Sequence, residues 1–473
     1  MSAINFFTAG TLNTFQKYAE RMAIEGIHWD LVNAIITDHG SLQARTLNRY
    51  GRYQQYAGQQ TTPILVREFE GEAAKKINNK LANDFFGEII DTKVGYLFGQ
   101  PVTVNYDKGV AGYETAVKTI EDFKKINSFD DFNAEVGKFA AMCGYDAGLC
   151  YIDAEGQERV MRVDPWEAII LSTTEITEPQ FGIRYYTTWD DKQRVDVYDS
   201  TKVYTFIQGQ LVEEKDHMFS YCPLFGVPNN AELQGDGDKV LSLIDGYDRS
   251  LSDMNSEIEQ FRNAYLKFIG YEPDEDVIAA MLKTGALFIP SSSDGESIEW
   301  MVKELNPAYV DSHLDRVEAN ITRFAKHVNF TDAFGGGQVT GPAMKYKLFA
   351  LETKAKYFER KHEAAMLYMF KVLGSAWNVK SIPFDYKALD LVYTRNIPVN
   401  IVDEANAATT LAGITSKRTA LSTLSVVKDV DEEMDLISQE HEEMKAQLDL
   451  DNPDLIDNNG GNNPGNKDNN PDA

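Results

Sequence analysis

Apolar residues recur at alternating steps of four and three over three stretches of this chain. The first stretch is Val240, Ile244, Tyr247, Leu251, Met254, Ile258, Phe261 and Tyr265. Such a heptad seam predicts a helix about 40 Å long. A second seam runs through Val310, Leu314, Val317, Ile321, Phe324 and Val328, and a third through Met344, Leu348, Leu351, Ala355, Phe358, His362, Ala365 and Met369. Between the first two lies a compact segment, Leu266 to Pro307, in which Ala286-Leu-Phe-Ile-Pro290 predicts a strand. Between the second and third, Thr331–Pro342 contains Gly335-Gly336-Gly337 and reads as a loop. The pattern describes two long helices carrying a small α/β insertion at their far end, then a loop, then another long helix. A narrow apolar stripe flanked by charge suits helices packed side by side. Whether the neighbours come from one chain or from several copies stays open.

Elsewhere the period changes. Residues 1–60 read as short helices broken by polar turns. Glu72 to Leu97 reads as one long helix, with Ile77, Leu81, Phe85, Ile89 and Val94 near helical spacing. Val102–Tyr106 predicts a strand, and Tyr113–Ile126 and Phe129–Met142 predict helices. From Val160 to Val212, short β-rich runs such as Phe181–Thr187, Arg194–Tyr198 and Val203–Ile207 alternate with polar turns, the spacing of an antiparallel meander. Pro223–Gly237 reads as a connecting loop and Ile382–Val399 as strand and loop. Helices follow at Asp403–Leu411, Lys417–Leu424 and Asp431–Leu448, the last with Met434, Ile437, His441, Met444 and Leu448 on one face. From Asp449 onward Asn, Asp, Gly and Pro dominate, and a disordered tail is expected. The fold class predicted is α+β and mainly helical.

Charge narrows the functional classes. The chain carries 73 acidic against 46 basic residues, a net charge of −27. The tail contributes six aspartates against Lys467, so most of the excess lies in the folded part. Such a surface repels a phosphate backbone on average. The three cysteines, Cys143, Cys150 and Cys222, form no C-x-x-C pair, which points to a reducing, cytoplasmic setting. Neither a signal peptide nor a membrane span is expected. Motifs for chemistry fail on inspection. Gly336 and Gly341 have Walker A spacing, but Pro342-Ala343 stands where Lys and Ser/Thr must hold phosphate and magnesium. Gly235-Asp236-Gly237 lacks the third glycine of a dinucleotide fingerprint. The seven histidines are scattered, with no H-E-x-x-H. No catalytic, metal or cofactor residue is predicted.

Several strings in order resemble the portal protein family of long-tailed bacteriophages. They are Tyr53-Gln-Gln-Tyr56-Ala-Gly58, Asn79-Lys-Leu-Ala-Asn83-Asp-Phe85, Val94-Gly-Tyr-Leu-Phe-Gly-Gln-Pro101, Ser242-Leu-Ile-Asp245-Gly-Tyr247-Asp-Arg-Ser250, Gly341-Pro-Ala-Met-Lys345-Tyr-Lys347-Leu, Arg395-Asn396-Ile-Pro398 and Ser416-Lys-Arg-Thr419. Their order along residues 50–445 carries the resemblance. It implies a portal fold divided into a wing (1–237), a first stem helix (238–265), a clip (266–307), a second stem helix (308–330), a tunnel loop (331–342), a wing helix with following strands (343–402), a crown (403–448) and a tail (449–473). It further implies a ring of about twelve copies at the capsid vertex of the virion, assembled in the host cytoplasm, for DNA packaging, retention and ejection. Its implied partners are double-stranded DNA, the terminase motor, a head-tail adaptor, and the major capsid and scaffold proteins. Thr331, Gly335, Gly336, Gly337, Gln338 and Thr340 become the DNA-facing tunnel loop, and Ile244, Leu251, Ile258, Leu314 and Ile321 the stem seam. Lys345, Lys347 and Lys354 become candidates for contact with DNA or a neighbouring subunit, although ion pairs to acidic groups are the ordinary fate of such lysines. The alternatives are another virion connector or scaffold ring protein, or an acidic cytoplasmic enzyme with an unrecognised site.

Overall fold

The computed structural model describes residues 12–55, 61–69, 77–172, 178–261, 265–269, 274–276, 278–279, 297–301, 307–328, 341–397, 401–424, 426–427 and 429–451. These fall into two units, Met1–Asn396 and Ile397–Ala473. The architecture is mixed α and β, with long helices and antiparallel sheets.

The first unit opens with two helices, Leu12–Glu25 and Trp29–Gln54. The second is longer than the broken helices expected there. It buries Leu31, Val32 and Ile35 against the sheets that follow. Phe85–Phe98 comes next, then strand β1 (Thr103–Tyr106) and helices Tyr113–Ile126 and Phe129–Cys143. Gly144 ends that last helix at φ +94°, and a Cβ there would meet the carbonyl oxygen of Leu233 at 2.2 Å, so the turn admits only glycine.

Eight strands form the β portion: β2 (Tyr145–Ile152), β3 (Glu158–Val163), β4 (Ala168–Leu171), β5 (Phe181–Thr187), β6 (Gln193–Tyr198), β7 (Lys202–Ile207), β8 (Gln210–Asp216) and β9 (Leu224–Pro228). β4 to β8 make the antiparallel meander that the spacing predicts, in order β4-β5-β6-β7-β8. β2 pairs with β3 on one side and β9 on the other. The β9 strand corrects the sequence reading, which placed a loop over Pro223–Gly237. All five β9 residues are buried, and a run apolar on both faces has no alternation to betray it.

Of the helix expected over Glu72–Leu97, residues 72–76 lie outside the described residues, 77–83 are non-helical, and a helix runs from Phe85. Asp84 caps it by accepting a hydrogen bond from the Gly87 amide at 3.0 Å.

After β9 the paired helices Leu241–Phe261 and Pro307–Phe324 carry a two-stranded antiparallel ladder, β10 (Tyr265–Ile269) with β11 (Ser297–Met301), pairing Tyr265 with Met301 and Ile269 with Ser297. The strand expected at 286–290 and the glycine loop at 331–340 lie outside the described residues. Gly341–Val379 then forms one 39-residue helix. Its seam is core: Leu351, Ala355, Ala365 and Met369 are fully buried. Toward its end Phe370, Trp377 and Phe384 pack with Phe123 and Phe129. Strand β12 (Leu389–Val392) closes the unit by pairing with β1.

The second unit holds helices Ile401–Ala412, Lys417–Leu421 and Val430–Asp451. Ser416 caps the middle one through the Thr419 amide. The last helix continues through Asp451, past the point where the tail was expected to begin. On its expected apolar face Met444 is 59% exposed. Among the described residues no helix is long and apolar enough to cross a membrane.

Candidate functional site

The paired helices and their foot are the part of the molecule with the most unusual construction. At the foot, Val240, Ile244, Ile321 and Ala325 join Phe86, Ile89, Ile90, Ala141 and Met142 in one apolar cluster. On Leu241–Phe261 burial then declines along the predicted seam, and on Pro307–Phe324 it alternates. Ile244 is buried, Leu251 half-buried and Ile258 half exposed, while on Pro307–Phe324 the seam residues Leu314 and Ile321 are buried, Val310 and Val317 half-buried and Phe324 largely exposed. The seam residues therefore serve two roles. Ile244, Leu314 and Ile321 complete this chain's own core, and Ile258 is left half exposed by it.

Beyond Ile244 the deepest stripe on Leu241–Phe261 is polar, at Asp248, Ser252 and Ser256. Each of these accepts a hydrogen bond from the backbone of the extended segment beside it. The amides of Asn83, Leu81 and Asn79 donate to Asp248 Oδ1 (3.0 Å), Ser252 Oγ (2.9 Å) and Ser256 Oγ (3.0 Å). The steps match: four residues of helix rise about 6 Å, and two residues of extended chain advance about 6.6 Å. Arg67 adds to this strap, bonding Asn78 Oδ1, the Asn79 carbonyl and Asp253. The helix side chains thus replace a partner strand, and residues 77–83 stay out of a helix because alternate amides, those of Asn79, Leu81 and Asn83, are already satisfied.

Ion pairs fasten the foot to the body. Arg49 pairs with Asp238 and also donates to the Cys143 carbonyl, and Arg52 pairs with Asp245 and donates to the Thr61 carbonyl. Burial raises the Asp238 carboxyl despite Arg49. Deeper in, the fully buried Lys93 Nζ lies 3.0 Å from Asp236 Oδ2, donates to Asn229 Oδ1 at 2.5 Å, and sits over the Phe358 ring at 4.3 Å. Burial lowers the Lys93 ammonium to about 8, with Asp236 opposing the shift. Lys354, 12% exposed, reaches the same Asp236 Oδ2 at 3.7 Å and caps the Ala325 carbonyl at 3.1 Å. Burial would push the Asp236 carboxyl up, but Lys354 and Lys93 outweigh it and hold it below the usual range. Gly235 and Gly237 flank this aspartate because the chain is pressed against neighbours. Added Cβ atoms would meet the Met142 carbonyl and the Phe86 ring at 2.4 Å each.

The end of Pro307–Phe324 is held by His327, whose Nε2 is 3.2 Å from Glu88 Oε1. Burial lowers the His327 imidazole, and Glu88 partly restores it. On the other side, Arg395 grips the long helix with two hydrogen bonds to Glu352 and one to Glu359, while Tyr96 donates to Glu352 and Asn396 bonds the Tyr96 and Gly95 carbonyls.

Of the lysines singled out from the sequence, Lys354 lies in this buried group. Lys345 and Lys347 stand on the first turns of the long helix, with side chains outside the described residues. Thr331, Gly335, Gly336, Gly337, Gln338 and Thr340 also lie outside them. Sequence reasoning missed Lys93, Asp236 and the acceptor stripe. Their partners are remote in the chain, and only the four-residue step from Asp248 to Ser256 is visible in the sequence. Among the described residues no group of three or more His, Cys, Asp or Glu is placed to hold a metal ion.

Residues 33–447 match the family model described as phage portal protein, SPP1 Gp6-like. The chain is 26% identical over 408 residues to the portal protein of Bacillus phage SPP1, covering 79% of each chain. It is 22% identical over 411 residues to the portal protein of Clostridium phage phiCD119, covering 80% of this chain and 88% of that one.

Proposed function

The chain belongs to the phage portal protein family, and from that membership we infer that it acts at the capsid vertex as a subunit of the channel for DNA. The observation that carries this reading within the fold is the helix–ladder–helix unit. Leu241–Phe261 and Pro307–Phe324 are rooted in the body by buried ion pairs and extend an apolar seam that one chain leaves half exposed at Ile258. Head-to-tail contacts between identical copies cover such seams and close into rings.

In this reading the paired helices are the stem, 266–307 the clip, 331–342 the tunnel loop, the long helix and the β sheets the wing, and 403–448 the crown. The ring holds about twelve subunits. The clip receives the terminase motor during packaging and the head-tail adaptor afterwards, and the wing meets the major capsid and scaffold proteins. Thr331, Gly335, Gly336, Gly337, Gln338 and Thr340 face DNA, with Lys345 and Lys347 just behind them. Because portals serve as structural channels, the motor supplies the chemistry and this chain supplies the passage. Light scattering and axial electron microscopy of the purified protein test the reading. A closed ring is the expected result, and a stable monomer at micromolar concentration would overturn it.

A further inference from the structure

The buried group at the foot of the paired helices opens onto a pocket of about 210 Å³. Lys93, Lys239, Lys326 and Lys354 line it, against only Glu232 and Asp236. In a chain with 73 acidic and 46 basic residues, a concave site where lysines outnumber carboxylates two to one runs against the background. Asp236 faces both Lys93 and Lys354, so one carboxylate serves two ammonium groups that are nearly or fully withdrawn from water. That leaves about one positive charge uncompensated inside the fold, a costly arrangement unless an anion can approach. Lys239 and Lys326 stand exposed in the lining and form no ion pair among the described residues. Lys326 is also held at φ +53°, in the left-handed region, directly after the helix end that Lys354 caps. Phe324 and Tyr357, 54% and 49% exposed, add aromatic surface to the same lining.

We propose that this pocket at the foot of the paired helices binds a phosphate group, with Lys239 and Lys326 as the accessible ligands and Lys93 and Lys354 as the fixed positive field behind them. Four lysines lining one pocket from separate helices and loops suit an anion with several oxygens. The volume exceeds that of a bare phosphate, and the aromatic rings offer apolar surface to an attached sugar. The chemistry therefore fits a phosphate ester of a DNA backbone or a free phosphate or nucleotide. The inference rests on the pocket itself and stands apart from the ring reading.

Calorimetric titration of the full-length protein with inorganic phosphate, and separately with a short blunt DNA duplex over a range of salt, tests it. Saturable phosphate binding is expected. Lys239→Gln and Lys326→Asn, the latter chosen because asparagine tolerates the left-handed backbone, should each weaken it about two- to fivefold. Glu232→Gln should tighten it, a change of sign that damaged folding cannot imitate. If DNA is the source, the double lysine variant also shifts the slope of log K against log salt upward by about two per contacting subunit. If duplex binding is unchanged while phosphate binding weakens, the ligand is a free phosphate or nucleotide. Failure of the wild-type protein to bind phosphate saturably would overturn the proposal. So would phosphate binding that is indifferent to all three substitutions.

Discussion

At the scale of single residues, the buried titratable groups divide into those held charged and those held neutral. Lys93 and Asp236 stay ionised because each has a partner. His39 and His362 are fully buried beside aromatic rings and hydroxyls instead. His39 meets the hydroxyls of Tyr185 and Tyr145, and His362 meets Tyr393 between Phe98 and Phe358. Burial draws their imidazoles down to about 4 and about 3. In the unfolded chain both titrate near pH 6.5. Below that pH the unfolded state binds protons that the folded state refuses, so their contribution is complete above pH 6.5 and is lost as pH falls. Each costs about 1.4 kcal/mol per pH unit below 6.5. Going from pH 7 to pH 5, the wild-type protein should lose about 4 kcal/mol more unfolding free energy than a His39→Gln/His362→Gln variant. Urea titrations at the two pH values measure this, and equal losses would mean that neither imidazole is kept neutral. Sequence alone placed His362 on the apolar seam of the long helix. It offered nothing comparable for Lys93, whose surroundings come from Asn229, Asp236 and Phe358, all far along the chain.

At the scale of elements, heptad spacing located the paired helices and the long helix, except that Tyr265, the last position of the first seam, belongs to β10, and alternation located the meander. The same spacing could not say which seam residues face this chain's own body. Ile321 is 1% exposed within the cluster around Phe86 and Ile89, whereas Ile258 is 50% exposed. Replacing each with Asp separates the two roles. Ile321→Asp buries an unpaired carboxylate and should destabilise the subunit itself by roughly 3–5 kcal/mol. Ile258→Asp should leave subunit unfolding within about 0.5 kcal/mol of wild type and weaken assembly. Denaturant unfolding together with native mass distinguishes these outcomes, and normal assembly of Ile258→Asp would remove that position from the contact between copies. The two largest misreadings share one cause. Residues 77–83 carry Ile77 and Leu81 at helical spacing, yet the amides of Asn83, Leu81 and Asn79 are taken by Asp248, Ser252 and Ser256. β9 has no alternation because both its faces are buried. In each case a distant partner, absent from the local pattern, decided the backbone conformation.

At the scale of the whole molecule, the excess of negative charge governs how the protein meets DNA. A net charge of −27 per chain, multiplied around a ring, sets up a repulsive field for another polyanion. A dedicated DNA-binding protein behaves in the opposite way: its affinity falls with salt as counterions are released from the phosphates it neutralises. The range of the field is set by screening, about 30 Å at 0.01 M salt and about 10 Å at 0.1 M. At the lower value the negative surface acts across distances comparable to a duplex, and at the higher value it acts only on near contacts. Passive entry of duplex into the assembled protein should therefore become easier as salt rises over this interval, or at most stay level. A phosphate-binding pocket at the foot of each helix pair would subtract from that trend without reversing it, because four lysines per chain are few against 73 acidic residues. The result suits a channel, since a deep electrostatic well would hold DNA where it has to slide. Fluorescence correlation measurements of labelled duplex with the assembled ring, taken between the two salt concentrations, give the sign directly. A steep loss of association with added salt, of the kind shown by a protein that neutralises many phosphates, would mean that the acidic surface is not what DNA encounters.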